Sequence, residues 1–121
     1  MTNGKVLLAE DDITMVSLLT TLLKMEGFSV VALQADADVP AAVRAEKPDI
    51  LLLDVHLINQ SGYDILDSIR NSEDTAGTRV VMSSGADVRD ECMKHGANGF
   101  LMKPYMPDEL ITILKKTLKS V

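Results

Sequence analysis

Two short apolar runs in this chain each end in acid. Val6-Leu7-Leu8-Ala9 leads directly into Glu10-Asp11-Asp12, and Ile50-Leu51-Leu52-Leu53 into Asp54. Two later runs end in Ser83-Ser84-Gly85 and in Lys103-Pro104. Carboxylates brought together at neighbouring strand ends repel, and two unit charges about 5 Å apart cost roughly 3 kcal/mol at an effective dielectric of about 20. A divalent cation is the simplest group that offsets this repulsion. The set therefore combines acids, a hydroxyl and an amine around a candidate cation site.

The elements that must position these residues follow from hydrophobic periodicity. Residues 5–9, 28–33, 49–53, 79–82 and 99–102 are short, apolar and rich in β-branched or aliphatic side chains, as buried strands are. Between them the period changes. From Asp12 a helix is expected, with Met15, Val16, Leu18, Leu19, Leu22 and Leu23 inward and Thr14, Ser17, Thr20, Thr21 and Lys24 outward. Asp12 can cap this helix and Gly27 end it. Further helices are expected over 39–45, 63–70 and 87–95, and from Pro107 onward. The last has Asp108 and Glu109 at its start and Lys115, Lys116 and Lys119 near its end, matching the helix dipole. Residues 55–62 read as a loop and 71–78 as a polar connection. Five strands alternating with five helices imply an α/β fold with a parallel sheet covered on both faces. In such sheets the ligand site lies beyond the carboxyl ends of the strands.

Bulk properties narrow the function. The 121 residues suit one domain, 1–121, and the 46% apolar content with two Phe and two Tyr implies an aliphatic core. Met15, Met25, Met82 and Met102 are expected in that core. Eighteen acids against twelve bases, a formal charge of -6, argue against direct nucleic-acid binding. A single cysteine, Cys92, excludes an intramolecular disulfide framework and is read as a helix residue without chemistry. The opening residues lack a signal-peptide pattern and no apolar segment is long enough to span a membrane, so a cytoplasmic location is expected.

The ordered set resembles the receiver domain of two-component response regulators, the chemotaxis-regulator-like family, over essentially the whole chain. The resemblance rests on Glu10-Asp11 after the first strand, Asp54 ending the third, and Gly62 eight residues later. It rests also on Ser84-Gly85, Phe100 and Lys103-Pro104. It implies a flavodoxin-like (βα)5 doubly wound sandwich with strand order 2-1-3-4-5. It implies that Asp54 accepts a phosphoryl group from a sensor histidine kinase or a histidine phosphotransfer protein. A carboxylate can attack phosphorus when the approaching negative charges are neutralised. Mg²⁺ would be held by Asp11, Asp54 and the His56 carbonyl, with Glu10 reached through water. The His56 side chain would line the entrance. Ser84 and Lys103 would bind phosphoryl oxygens, Phe100 would turn inward on activation, and the bond before Pro104 would be cis. Ser83, by strand alternation, should point away from Ser84. His95, with no acidic partner nearby in sequence, reads as an exposed helix-end residue.

The same resemblance implies a signalling module that catalyses only its own phosphorylation and slow dephosphorylation. An output domain, a downstream protein or a homodimer would read the change. Two features depart from the family pattern. Ile58 replaces the proline usual in the loop after the acceptor, and the interval from Ser84 to Lys103 is about one helical turn short. The fourth helix should therefore be short or displaced. One rival reading is a receiver-like binding scaffold that works without phosphorylation. A flavin carrier of this fold would need a hydroxyl- and glycine-rich phosphate cradle where Glu10-Asp11-Asp12 stands. A haloacid-type phosphatase would want an acid where His56 stands.

Overall fold

Residues 3–119 are described by a computed structural model of the chain, so the first two and last two residues of the expected 1–121 domain lie outside the described span. The strands are β1 (Lys5–Ala9), β2 (Ser29–Ala32), β3 (Ile50–Asp54), β4 (Arg79–Ser84) and β5 (Gly99–Met102). The helices are α1 (Ile13–Met25), α2 (Val39–Glu46), α3 (Gly62–Asn71), α4 (Arg89–Lys94) and α5 (Pro107–Lys119). All strand pairs in the main sheet are parallel, in the order β2-β1-β3-β4-β5. The flavodoxin-like expectation holds.

Strand alternation divides the core into two layers. Leu7, Leu51, Leu53, Val80 and Met82 point to one face, where Val43 of α2, Ile65, Leu66 and Ile69 of α3 and Cys92 of α4 cover them. Val6, Leu8, Ile50, Leu52 and Val81 point to the other, under Leu19 and Leu23 of α1 and Leu110 and Leu114 of α5. The core is aliphatic, as composition implied, with Phe28 and Phe100 its buried aromatic rings. Each fully buried Leu or Ile contributes about 1.5–3 kcal/mol relative to exposure.

The differences from expectation have physical causes. Leu18 and Met25 of α1 are exposed, as is Ile13 at its start. The six apolar residues assigned inward spread over more of the helix surface than a flat sheet can cover. The contact falls on Leu19 and Leu23, with Met15 and Leu22 beside them. Met102 is half-exposed because it ends an edge strand. β4 runs two residues further than its apolar stretch. Ser83 pairs with Asp54 on one side and Leu101 on the other, and Ser84 with Met102, so neighbouring backbones hold the serines in the sheet. Residues 56–61 are not a plain loop. His56–Leu57 pairs antiparallel with Gln60–Ser61, turning at Asn59 with φ 65°.

α4 has only six residues and no side-chain cap at its N-terminus. Its far end is held by Arg70 of α3. The guanidinium donates to the Gly96 carbonyl from Nε at 3.0 Å and Nη2 at 2.8 Å, and to Ala76 and Thr78 carbonyls from Nη1 at 3.0 and 2.7 Å. Nη2 also reaches Asn98 Oδ1 at 3.0 Å, which accepts the Val80 amide at 2.8 Å.

His95 is half-buried and has partners, one of them Glu91 only four residues earlier. This corrects the reading of an exposed helix-end residue with no acidic partner nearby in sequence. Its Nδ1 lies 2.7 Å from Asp67 Oδ1 on α3 and its Nε2 3.3 Å from Glu91 Oε1. The ring stacks on Tyr63 with centroids 4.8 Å apart. Asp67 is 28 residues away in sequence, so no local pattern announces the pair.

Two predictions follow from this packing. An added Cβ at Gly62 would lie 2.5 Å from the Asp54 carbonyl oxygen and 2.8 Å from Val55 Cα. Gly62→Ala should therefore cost about 1–3 kcal/mol in urea unfolding. Gly77→Ala, which meets nothing within 4 Å, should be close to neutral. The Asp67 carboxylate, aided by Glu91, raises the His95 pKa above 6.5 against a smaller opposing effect of burial. A raised folded-state value means the added stability is complete below the unfolded value and is lost as pH climbs through the folded one. The advantage of wild type over His95→Gln should shrink as urea midpoints are followed from about pH 5.5 to about pH 9.

Candidate functional site

Strand register brings the polar residues together. Ala9 pairs with Leu53 and Asp54 with Ser83, so Glu10, one residue past β1, stands at the level of Asp54 and Ser83. β5 then delivers Lys103, whose backbone N–H donates to the Ser84 carbonyl at 2.8 Å. The Lys103 ammonium lies between two acids. Its Nζ donates to Asp54 Oδ2 at 2.8 Å and to Glu10 Oε2 at 2.9 Å. The Lys103–Pro104 bond is cis, as expected.

Asp54 is 9% exposed, and its second oxygen, Oδ1, accepts the His56 backbone N–H at 3.1 Å. The His56 side chain is exposed. Asp11 is turned differently, its Oδ2 accepting the backbone N–H of Ile58. Asp12 is the N-cap of α1, accepting the Met15 amide at 3.1 Å, as its position in sequence suggested. Ser83 and Ser84 are both buried. Ser84 Oγ accepts the Ala86 amide at 3.2 Å. Phe100 is buried in the layer beneath α2, α3 and α4, so the ring already lies inward.

Electrostatics follow from this placement. Burial pushes the Glu10 carboxyl up, Lys103 pulls it down, and the nearby Asp54 pushes it up again, with a net rise. Burial works against the Lys103 charge, yet Asp54 and Glu10 together raise its pKa. Tyr105, which sequence reasoning did not single out, packs at the edge of the site. Its phenol is pushed up to about 12, chiefly by burial. Its only sequence signal is that it follows Lys103-Pro104.

Three carboxylates against one ammonium leave the rim with excess negative charge. Hard carboxylate oxygens suit Mg²⁺, which takes one or two acids and keeps several waters. Among the described residues, however, no three acidic or histidine side chains stand arranged as a ready metal shell. Lys103 occupies the space between Glu10 and Asp54, and Asp11 faces Ile58. The donor chemistry fits the cation; the present side-chain directions would have to change to hold it. Next to the acids is an open cleft floored by Ile13, Val16, Leu33 and Ile58. No described helix is long and apolar enough to cross a membrane.

The family model described as the response regulator receiver domain matches residues 6–115. The chain is 29% identical over 117 residues to the DNA-binding response regulator MtrA of Mycolicibacterium paratuberculosis, covering 95% of this chain and 51% of that one. It is 32% identical over 116 residues to the transcriptional regulatory protein CpxR of Klebsiella pneumoniae, covering 96% and 50% respectively. The chain thus spans about half the length of these curated relatives. In three dimensions it is similar to the receiver domain of the sensor histidine kinase PA1611 from Pseudomonas aeruginosa, whose crystal structure has a magnesium ion coordinated in the active site cleft. The TM-score is 0.85 at 24% identity, over 97% of this chain and 98% of that one, a likeness of fold. From the sheet order, the converging strand ends and the match across residues 6–115, this chain belongs to the receiver-domain family of response regulators.

Proposed function

We propose that Asp54 accepts a phosphoryl group from a phosphohistidine on a sensor histidine kinase or a histidine phosphotransfer protein. The observation that carries this reading is the Asp54 carboxylate itself, almost buried at the end of a central strand and paired with Lys103 Nζ at 2.8 Å. In the transfer, an Asp54 oxygen bonds to phosphorus as the N–P bond of the donor breaks, and the imidazole leaves with the bonding pair and takes up a proton. Lys103 exchanges its contact with Asp54 for one phosphoryl oxygen, and Ser84 gives up the Ala86 amide to donate its hydroxyl to another. Asp11, Asp54 and the His56 carbonyl would hold Mg²⁺, with Glu10 reached through water, and the ion would neutralise the developing charge when bound.

The domain catalyses only this transfer and the slow hydrolysis of its own acyl phosphate. Its partners are the phosphodonor and whatever reads the changed surface: an output domain, a downstream protein or a second copy. Met93 of α4, Met102 of β5 and Met106 before α5 are exposed apolar groups that such a reader could contact. The negative balance argues against direct nucleic-acid contact by this domain. A cytoplasmic location accords with this role.

Incubation with Mg²⁺ and acetyl phosphate should add the mass of one phosphoryl group to the wild-type protein and nothing to Asp54→Asn. No addition to either would favour a phosphorylation-independent scaffold. Lys103→Met should leave the Glu10 and Asp54 oxygens facing each other without a partner. The expected cost is about 1–3 kcal/mol in urea unfolding, part of it recovered when Mg²⁺ is added.

A further inference from the structure

We propose that the backbone amide of Ile58 competes with the divalent cation for Asp11, so that this one residue sets how tightly the site takes metal. The inference rests on the proposed metal-dependent role of the acidic rim. Glu10 and Asp54 are drawn together by Lys103, whereas Asp11 Oδ2 accepts the Ile58 N–H across the gap between the loops after β1 and β3. With Asp11 turned to that amide and Lys103 between Glu10 and Asp54, no three acids form a ready shell among the described residues. Asp11 must leave the amide to join Asp54 on a cation, and the hydrogen bond given up is a charge-assisted one.

What position 58 contributes here is its donor. The Ile58 side chain is 61% exposed, so packing holds it only weakly. Proline at this position would carry no N–H. The turn would still accept it. Of the two turn residues, Asn59 has a positive φ, 65°, and Ile58 does not, which is the pattern of a type II turn with proline favoured at its first central position. Leu57, the preceding residue, is already in strand conformation, as a residue before proline prefers. Ile58→Pro therefore removes the amide while leaving the backbone path open.

The test is calorimetric titration of MgCl₂ into chelator-stripped wild type, Ile58→Pro and Ile58→Ala, with no phosphodonor present. Ile58→Pro should bind Mg²⁺ on the order of tenfold more tightly than wild type. Ile58→Ala, which keeps the amide, should stay within about twofold of wild type. Equal or weaker binding by Ile58→Pro, with wild type binding normally, overturns the competition and leaves the phosphoryl-acceptor reading standing. Absence of Mg²⁺ binding in all three overturns both. A second measurement needs no variant: amide hydrogen exchange followed by NMR in the wild-type protein. The Ile58 amide should be protected without added metal and lose protection as Mg²⁺ saturates the site. An Ile58 amide that exchanges freely in the stripped protein overturns the proposal.

Discussion

The site depends on one ammonium group. Without Lys103 between them, Glu10 and Asp54 would place two nearly buried carboxylates side by side with nothing to balance them. Burial opposes the charges of Glu10 and Lys103. The ammonium lowers the cost of the Glu10 carboxylate and both acids lower that of the ammonium, while Asp54 still raises that of Glu10. The lysine is in turn fixed by its backbone, which hydrogen-bonds β4 at Ser84 just beyond the end of β5. On the proposed reading, the same amine that steadies the resting acids would meet an incoming oxyanion. Asp11, the acid the lysine does not reach, is met by a peptide N–H instead.

The sheet explains why these groups meet at all. Chain order reverses between β1 and β3, so the loops after them leave in different directions and open a crevice at the rim. Glu10 and Asp11 stand on one side of it and Asp54 on the other. Residues 6–9 of β1 and 50–53 of β3 beneath are aliphatic and buried on both faces, which gives the rim a stiff base. Gly62 adds a local condition. The chain returning from the 56–61 hairpin passes so close to the Asp54 carbonyl that a side chain there has no space.

Much of this was legible in the sequence, for identifiable reasons. Continuous apolar runs mark buried parallel strands, and the residues following them mark the rim, so Glu10, Asp54, Ser84 and Lys103 could be placed before any coordinates. Asp12 as a cap could be separated from Asp11 as a site residue by its position one step into the helix. What escaped depends on contacts distant in sequence or on backbone atoms. The His95–Asp67 pair joins two helices, and nothing in either helix alone indicates it. The hairpin after β3 hinges on a single left-handed Asn59, a conformation that Asn tolerates but does not announce. The exposure of Leu18 and Met25 reflects how narrow a stripe of α1 the sheet can cover. Ile58 stood out as a missing proline, but only the coordinates show that its amide meets Asp11.

α4 is short, uncapped at its start, and fastened at its end through Gly96 to the Arg70 guanidinium. At its other end Val88 packs against the core, two residues from the Ala86 amide that Ser84 Oγ holds. On the proposed reading, release of that hydroxyl would free the turn at Ala86, while Cys92 in the core and Arg70 at Gly96 would still hold the rest of α4. A helix of six residues so held has little length to displace, so any change in the surface that Met93 presents would be local.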